Sequence, residues 1–248
     1  MGDLSPPRAG GAEQRPTVEA LYRYPVKSMG GEAVDHLDLD ARGCGGDRLW
    51  SVRTSNGKIG SGKSTRRFTA VRRLLQLRAS LDGDTPVVAL PDGRTVRVDQ
   101  PDAPGLVSAA LHRRVHLARE TDVSHYDDGP VSLLGTGSVA AVAAARATDV
   151  AALRFRPNIL LQTEEPFIEH TWVAREIRLG TAVLHVTMES PRCVMINMAT
   201  ADLPAQPGNL KTVAYLSGGK LGVVARVVRA GTIRLGDVVH ILPGITSG

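Results

Sequence analysis

The sequence has few aromatic residues, few cysteines and no long apolar run. Aromatic residues make up 4% of the 248 positions, so aliphatic side chains must fill the core that a 42% hydrophobic composition allows. No stretch reaches the roughly 18 apolar residues that a membrane-spanning helix requires, so we expect no membrane segment. The N-terminal residues lack the apolar region of an export signal, which predicts a disordered tail over 1–16 and a soluble, cytoplasmic protein.

The cysteine content limits the metal chemistry that this chain can support. Cys44 and Cys193 are too few for a four-cysteine zinc site or for an iron–sulfur cluster of the chain's own. Because no export signal is present, two free thiols are favoured over a disulfide between them. The abundance of Ala, Arg, Gly and Val is typical of a bacterial protein from a GC-rich genome.

The net charge of +5 is unevenly distributed along the chain. Between positions 42 and 78 Asp47 is the one acidic residue, against Arg42, Arg48, Arg53, Lys58, Lys63, Arg66, Arg67, Arg72, Arg73 and Arg78. Three interpretations of this segment are open: a solvated basic face, a binding site for a phosphorylated cofactor, or a docking surface for an acidic protein. Nucleic acid is less favoured, since aromatic residues are not interleaved there for base stacking.

Short alternating runs separated by glycine-containing turns predict a mainly β protein. Asn56-Gly57 and Pro91-Asp92-Gly93 lie between such runs and indicate hairpins. Helices are predicted within 101–114 and from Val139 onward, with Ser138 as the N-cap of the second. The segment 65–81 is predicted as an amphipathic helix, or as a helix ending near Arg73 and followed by a strand. The absence of a strand–helix–strand rhythm favours a barrel-like architecture.

Two polar clusters, at the two ends of the segment 153–193, point to an anionic ligand. Arg154, Arg156 and Asn158 surround Pro157, and guanidinium groups held on strands suit a phosphate. Cys193 follows Arg192, which favours a thiolate able to bind a soft metal or attack an electrophile. An inert core cysteine is the alternative. The segment after Cys193, VMINMAT, is predicted to continue extended.

An upstream loop offers a second set of anion contacts. Lys27 and Ser28 precede Gly30-Gly31, which lets backbone N–H groups approach an anion, although an ordinary polar turn is the alternative.

Residues 57–64, GKIGSGKS, match the phosphate-binding pattern G-x-x-x-x-G-K-[ST]. That loop requires a buried parallel strand before it and a helix after it. The preceding run, LWSVRT, alternates in the manner of an antiparallel strand, so nucleotide binding is only a third hypothesis.

Four motifs together resemble the MOSC family, named after the C-terminal module of the molybdenum-cofactor sulfurase. RFRPNI at 154–159 and PRC at 191–193 resemble the MOSC domain itself. YPVKSMGG at 24–31 and GGDRLW at 45–50 resemble the segment that precedes it in amidoxime-reducing enzymes. The resemblance implies a mainly β fold with some α structure, in which a β-rich, barrel-like segment over 17–120 precedes a MOSC-type β-barrel over 121–245.

The resemblance also implies a molybdenum cofactor with Cys193 as catalytic residue and metal ligand. The implied cofactor-binding residues are Lys27, Ser28, Arg48, Lys63, Ser64, Thr136, Ser138, Arg156, Asn158 and Arg192. The implied activity is reduction of small N-hydroxylated substrates such as amidoximes and hydroxylamines. Its electrons would come from a separate flavin or iron–sulfur protein.

Two departures from the family pattern keep a second function open. Pro191 stands where relatives commonly have Ser, and GSGKSTRR at 60–67 replaces a TARQ-like pattern. A protein that carries the cofactor, or a sulfur atom as a persulfide on Cys193, is therefore the alternative to a reductase. A full sulfurase is not expected, because no aminotransferase-like segment precedes the MOSC motifs.

Overall fold

Strands dominate the computed structural model, which describes residues 15–243. All but the last two residues of the predicted tail, and the last residues of the predicted MOSC portion, lie outside this range. The strands are β1 Thr17–Arg23, β2 Glu32–Val34, β3 His36–Asp40, β4 Gly43–Cys44, β5 Trp50–Thr54, β6 Ile59–Ser61, β7 Phe68–Ala70, β8 Arg78–Asp82, β9 Thr85–Ala89, β10 Thr95–Arg97, β11 Val115–Arg119, β12 Val131–Gly135, β13 Ile159–Gln162, β14 Glu176–Leu179, β15 Ala182–Pro191, β16 Lys220–Arg229, β17 Gly231–Arg234 and β18 His240–Ile241.

Within residues 15–243 three α-helices and four short 3₁₀ helices connect these strands. The α-helices are α1 Ala103–Leu111, α2 Thr136–Arg146 and α3 Asn209–Ser217. The 3₁₀ helices are Arg72–Gln76, Ala152–Phe155, Ile168–Trp172 and Val194–Asn197. The prediction of a mainly β fold with some α structure is confirmed.

A curled eight-stranded sheet with the form of a half-barrel organises the fold. Its strand order is β18-β14-β15-β16-β12-β13-β1-β2, and its neighbours are antiparallel except β12 and β13. The first core lies against this sheet and under β3, β4 and β17, and includes the fully buried Trp172. On the other face, α2 and α3 cover a smaller core.

The remaining strands form three smaller sheets. The orders are β11-β5-β6-β7, β10-β9-β8 and β17-β3-β4. The first two enclose a separate core together with α1. β1 pairs with β13 and β3 pairs with β17, so strands from 17–120 pair with strands from 121–245. The domain boundary near residue 120 stays a prediction.

Turn chemistry predicted several connections correctly. β5 and β6 form the hairpin expected at Asn56-Gly57, where Gly57 has φ +75°. Gly93, at φ +86°, turns the chain between β9 and β10 as expected. α1 confirms the helix within 101–114. The part of the chain that the structure describes contains no helix long and apolar enough to cross a membrane.

The prediction of a short amphipathic helix within 65–81 is wrong. Of its alternative, a helix ending near Arg73 and then a strand, the helix is wrong, whereas β8 confirms a strand at the end of the segment. The segment forms β7, a 3₁₀ turn and β8. β7 pairs in parallel with β6 and β8 pairs with β9. Leu74, Leu75, Leu77 and Ala79 are all buried, so the chain is enclosed on more sides than the single apolar face of a helix.

The N-cap prediction for Ser138 is also wrong. α2 begins at Thr136, and Ser138 lies inside its first turn. The Ser138 hydroxyl donates to Glu169 Oε1 at 2.8 Å, and the N–H of Gly135 donates to the same oxygen at 3.2 Å. The buried carboxylate of Glu169, which is distant in sequence, therefore accepts hydrogen bonds at the N-terminus of α2.

Candidate functional site

A cavity of about 110 Å³ opens to solvent between the N-terminal loops and the end of β15. Its walls carry the side chains of six basic residues, two acids and one cysteine. These are Lys27, Arg48, Lys63, Arg154, Arg156, Arg192, Asp127, Asp128 and Cys193, with Ser28 and Met195 beside them. Most of the residues that the sequence singled out therefore meet at one place.

Cys193 lies where β15 ends and the chain turns into the 3₁₀ helix Val194–Asn197. The prediction that VMINMAT continues extended is wrong, since Ile196 turns inward and is buried in the core under α2 and α3. The turn leaves Cys193 as a half-buried, free thiol on the cavity wall. Cys44 is also free but fully buried, and burial raises the pKa of its thiol far above the usual range. The expectation of two free thiols is confirmed.

The side chain of Arg192 is bonded to the backbone of two segments that are distant from the cysteine in sequence. Its Nε donates to the carbonyl of Leu221 at 2.8 Å, and its Nη1 donates to the carbonyl of Phe155 at 2.9 Å. Burial lowers the pKa of Arg192 to about 10, against the opposing effects of Asp128 and Cys193. Arg192 thus brings positive charge to the cavity while its hydrogen bonds hold the frame around Cys193.

Arg156 contributes a guanidinium group with unused hydrogen-bonding capacity. Its backbone is left-handed at φ 53°, which turns the side chain off the path of β13. The guanidinium carbon lies 4.3 Å from the centre of the Tyr24 ring. Its Nη2 is buried and has no hydrogen-bond partner among the described residues. Burial lowers the pKa of Arg156 to about 10. A buried donor without a partner is costly, and an anionic ligand would satisfy it.

Arg48 and Asn158 are held by neighbouring polar groups. Arg48 forms an ion pair with the buried Asp47 and donates to Asn158 Oδ1 at 3.3 Å. Asn158 Oδ1 also accepts from the hydroxyl of Ser132 at 2.9 Å, and its Nδ2 donates to the carbonyl of Tyr22 at 3.2 Å. Asn158 does not line the cavity, and its side chain positions Arg48, which does.

Lys27 is buried beneath the cavity floor with 1% of its surface exposed. Its Nζ donates to Asp127 Oδ2 at 2.9 Å and lies 4.4 Å from the centre of the Phe68 ring. Burial lowers the pKa of Lys27 to about 8 despite the adjacent carboxylate. The Ser28 hydroxyl donates to the Ser61 hydroxyl at 3.3 Å, which ties the two loops of the floor together.

Lys63 reaches the cavity from the loop after β6. Its Nζ lies 3.5 Å from Asp127 Oδ1, so the Asp127 carboxylate contacts two lysines. Burial acts to lower the pKa of Lys63, but Asp127 and Cys193 outweigh it and the pKa is raised. The Lys63 ammonium therefore stays charged next to the thiol.

Two acids of the site, Asp127 and Asp128, were not among the residues predicted from the sequence. Both lie in a loop that the sequence presents only as a polar connection before β12. Burial, followed by the charge of Asp127, raises the pKa of Asp128. The signal that could have revealed them is the adjacent pair of carboxylates directly before Gly129-Pro130. The loop that carries Lys63, which pairs with Asp127, is basic.

Three further predicted cofactor contacts, besides Asn158, do not line the cavity. Ser64 accepts a hydrogen bond from the N–H of Ala70 at 3.0 Å. The hydroxyl of Thr136 donates to the carbonyl of Thr163 at 3.1 Å, and Ser138 is bound to Glu169 as described above. These hydroxyl groups all serve internal hydrogen bonds, and none of the three residues lines the wall that carries Cys193.

Residues 57–64 do not adopt the nucleotide-binding conformation that the third hypothesis requires. Residues 59–61 form β6, and β7 follows where a phosphate-binding loop would start a helix. β6 is also antiparallel to β5. Because the backbone amides of Ile59, Gly60 and Ser61 belong to strands, they cannot wrap around a phosphate. The match to the pattern is accidental.

The cavity combines a soft thiol with an excess of positive charge. The six basic side chains on its wall outnumber the carboxylates of Asp127 and Asp128. A phosphate-sized group fits a space of this volume, and a larger ligand would extend through the open side. The residues therefore suit an anionic ligand that presents a thiophilic atom to Cys193.

Known proteins of similar sequence or fold match nearly the whole chain. The bovine (Bos taurus) mitochondrial amidoxime reducing component 2 is 24% identical over 290 aligned positions, covering 95% of this chain and 86% of that protein. The rat (Rattus norvegicus) protein of the same name is 23% identical with the same coverage. The solved YUAD protein from Bacillus subtilis has a TM-score of 0.51 at 16% identity, covering 91% of this chain and 94% of that one.

Two family models cover the chain. The model described as the MOSC N-terminal beta barrel domain matches residues 15–129, and that of the MOSC domain matches residues 113–240. The two matches overlap in the segment that contains Asp127 and Asp128. Because the MOSC domain model alone matches more than half of the 248 residues, this chain belongs to the MOSC domain family.

Proposed function

We propose that this protein binds the molybdenum cofactor through Cys193 and reduces small N-hydroxylated compounds such as amidoximes and hydroxylamines. The observation that carries the proposal is the position of the half-buried Cys193 thiol, which lies on the wall of a cavity lined by cations. The names of the full-length bovine and rat relatives, amidoxime reducing components, support the reaction class.

The residues on the cavity wall fit such a cofactor. Cys193 Sγ offers the soft ligand that a high-valent, thiophilic metal prefers. Arg156 Nη2, buried without a partner, would bond to an anionic oxygen, and Lys27 and Lys63 would add charge to the same binding surface. When bound, the cofactor supplies the two-electron redox chemistry that none of these side chains can perform.

Protons for the reaction can come from the carboxyl group of Asp128. Reduction of an N–OH group to N–H breaks the N–O bond, consumes two electrons and two protons, and releases water. Asp128 lines the cavity that holds Cys193, and its raised pKa keeps its carboxyl group protonated at higher pH than an ordinary aspartate. Arg192 and Asn158 act as positioning residues for the cavity wall.

The electrons come from a separate flavin or iron–sulfur protein in this proposal, since two cysteines cannot hold a cluster. We propose a cytoplasmic enzyme whose partners are this donor and the small substrate, without nucleic acid or membrane.

Elemental analysis tests the cofactor assignment directly. The protein and the Cys193→Ala variant would be purified from a host that makes the cofactor, with Cys44→Ala as a matched loss of the other thiol. We expect about one molybdenum per chain in the parent and in Cys44→Ala, and a loss of most of it in Cys193→Ala. Equal molybdenum in all three, or none in the parent, would contradict the role of Cys193.

A carrier function is favoured by two departures from the reductase pattern, the loop at 60–67 and Pro191. The loop places Lys63 and Gly62 against the site where reductase relatives have a TARQ-like pattern, and Pro191 lacks the hydroxyl of the usual Ser. A carrier would bind molybdenum, or would show a mass increase of one sulfur atom on Cys193. In either case it would not turn over benzamidoxime with dithionite-reduced methyl viologen. A reductase would turn it over.

A further inference from the structure

The structure divides the basic segment 42–78 into neutralised and free cations. Acidic groups pair with four of its ten cations. Arg42 pairs with Glu120 at 2.8 Å, Arg48 pairs with Asp47, Lys63 lies 3.5 Å from Asp127, and Arg78 pairs with Asp202. Arg53 donates to the carbonyl of Gly57 at 3.3 Å and also contacts His125. These residues serve the fold or the cavity.

Arg66, Arg72 and Arg73 form what we call the arginine surface. All three are exposed, and within residues 15–243 none has an acidic group within ion-pair distance. Arg67, between them, is committed to the fold, because it donates to the carbonyl of Ser124 and lies 5.1 Å from the Phe68 ring. Lys58 is also exposed, but it lies on the β5–β6 turn at the other end of β6.

Short contacts connect the arginine surface to the mouth of the cavity. The N–H of Val71, next to Arg72, donates to the carbonyl of Ser61 at 2.6 Å. Gly62 follows Ser61 and packs so closely on Met195 that an added Cβ would lie 3.0 Å from the Met195 Cε. Met195 lines the same cavity as Cys193. The surface therefore borders the opening of the site.

Arg72 and Arg73 belong to the 3₁₀ helix Arg72–Gln76. The C-terminal end of this helix contacts the segment that follows Cys193. The N–H of Ala201 donates to the carbonyl of Leu75 at 2.7 Å, and Gln76 Nε2 donates to the carbonyl of Ala199 at 3.0 Å. Arginines on this helix are thus held rigidly relative to the redox site. A protein bound on them would lie directly beside the cavity.

We propose that the arginine surface docks an acidic electron-transfer protein that carries a flavin or an iron–sulfur cluster, an inference that rests on the proposed function. Unpaired guanidinium groups match the carboxylates of such a partner geometrically, and their charge accelerates its approach. Each turnover needs two electrons, which come from one two-electron flavin donor or from two one-electron iron–sulfur donors that dock in succession. The N-hydroxylated substrate takes up these two electrons and two protons, its N–O bond breaks and water leaves. Base stacking has no platform here, since the nearest aromatic ring, Phe68, is 5% exposed.

A triple variant of the cofactor-loaded, full-length protein tests this docking. The variant carries Arg66→Ser, Arg72→Ser and Arg73→Ser. Its matched control carries Arg226→Ser, Arg229→Ser and Arg234→Ser, which removes three exposed charges from β16 and β17 beyond the cavity. Benzamidoxime reduction would be driven either by a reduced acidic [2Fe–2S] ferredoxin, used as the probe, or by reduced methyl viologen.

We expect kcat/KM for the ferredoxin to fall about tenfold in the triple variant at low ionic strength, with a flatter salt dependence. Turnover with methyl viologen should be unchanged in both variants, and the control should match the parent with either reductant. Equal ferredoxin kinetics in parent and triple variant, or an equal loss in the control, would overturn the proposal.

Calorimetric titration with the oxidised ferredoxin separates this inference from the proposed function. Binding requires neither molybdenum nor turnover, so a ferredoxin affinity that is lost in the triple variant supports docking even if no reductase activity is found. A triple variant that instead loses affinity for a single-stranded oligonucleotide, with ferredoxin binding intact, would assign the arginine surface to nucleic acid and overturn the proposal.

Discussion

His125 is fully buried between the N-terminal sheet and the loop that carries the two acids of the cavity. Its Nε2 lies 3.1 Å from the Ser51 hydroxyl oxygen, and its Nδ1 lies 3.1 Å from the carbonyl oxygen of Arg48. Burial lowers the pKa of His125 to about 4, against the opposing effect of the nearby Glu120. The neutral ring is thus part of the frame that holds Arg48.

This histidine should make the fold sensitive to acid. Between pH 6.5 and 4 the unfolded chain binds a proton on His125 that the folded chain does not, so the free energy of unfolding falls as the pH is lowered. We expect a loss of about 2–3 kcal/mol between pH 7 and pH 4.5 from this group. Urea unfolding of the parent and of His125→Gln would measure it, with the exposed His116→Gln as the control. Parallel pH profiles for the parent and His125→Gln would contradict the assignment.

The sequence could identify the residues of the RFRPNI motif but could not separate their roles. Arg156 and Asn158 stand two positions apart, yet Arg156 keeps a free donor while every polar atom of the Asn158 side chain is bonded within the fold. The difference depends on the left-handed backbone at Arg156 and on Ser132 and Tyr22, which are distant in sequence. Local patterns carry no information on such partners. For the same reason Asp128 was missed.

Within β16, Gly222 allows the strand to pass close to β12 and to Arg192. Its φ is +73°, and an added Cβ would lie 2.5 Å from the carbonyl oxygen of Leu133 and 3.2 Å from Arg192 Nη2. Gly219, just before the strand, has a similar φ of +87° but has nothing within 4 Å of an added Cβ. Both positions share the cost of a side chain at positive φ, and only Gly222 adds the cost of a steric clash with neighbouring atoms. Comparing the two therefore separates these costs.

Alanine at the two positions should therefore differ in effect. Both substitutions cost about 1–2 kcal/mol for a side chain at positive φ. Gly222→Ala should lose roughly a further 1–3 kcal/mol, because the clash with Leu133 is with backbone and cannot relax easily. Gly222→Ala should also bind less molybdenum, since the clash displaces Arg192 and with it the frame around Cys193. Urea unfolding and metal analysis would measure both effects, and equal stability of the two variants would contradict this account.

At the level of elements, the local sequence predicted the hairpin turns correctly. It did not predict strands that form by pairing with residues elsewhere in the chain. Gly57 and Gly93 adopt the positive φ angles of their turns, which glycine does without steric cost. In contrast, the stretch 68–70 became a strand because β6 pairs with it in parallel, and the spacing of its apolar residues also suits a helix. The 3₁₀ helix after Cys193 likewise depends on a core that its own sequence does not define.

Across the whole molecule, the two halves of the chain share sheets. β1 pairs with β13, and β3 pairs with β17. Each half also contains one tryptophan, since Trp50 packs against the N-terminal core and Trp172 is buried in the core of the eight-stranded sheet. These two residues can report on the two halves separately.

We expect the halves to unfold together. The variants Trp50→Phe and Trp172→Phe each leave one fluorophore, and each should show one urea transition that coincides with its own loss of far-UV circular dichroism. The cause is the strand pairing between halves, since separating them would expose unpaired edges and apolar surface. Because Trp172 is fully buried, Trp172→Phe should be less stable than Trp50→Phe. The fluorescence and circular dichroism transitions are therefore compared within each variant and not between the two variants. Two transitions at distinct urea concentrations in either variant would contradict shared cooperativity.

The strand order of the whole molecule lay beyond the sequence patterns. The alternation of residues in β1 shows that it is a strand, but nothing local specifies β13 as its partner. The family resemblance supplied the architecture, which the fold confirms. It could not show that the cavity lies where the segments 24–31, 45–50 and 191–193 meet.

The different burial of the two cysteines has a practical consequence. Cys44 is sealed inside the core, whereas Cys193 faces the cavity. A small alkylating reagent therefore meets a single reachable thiol on the native protein and two on the unfolded chain. Since a ligand coordinated by Cys193 would shield that thiol, the number of alkylated sulfurs under native conditions counts the molecules whose cavity is empty.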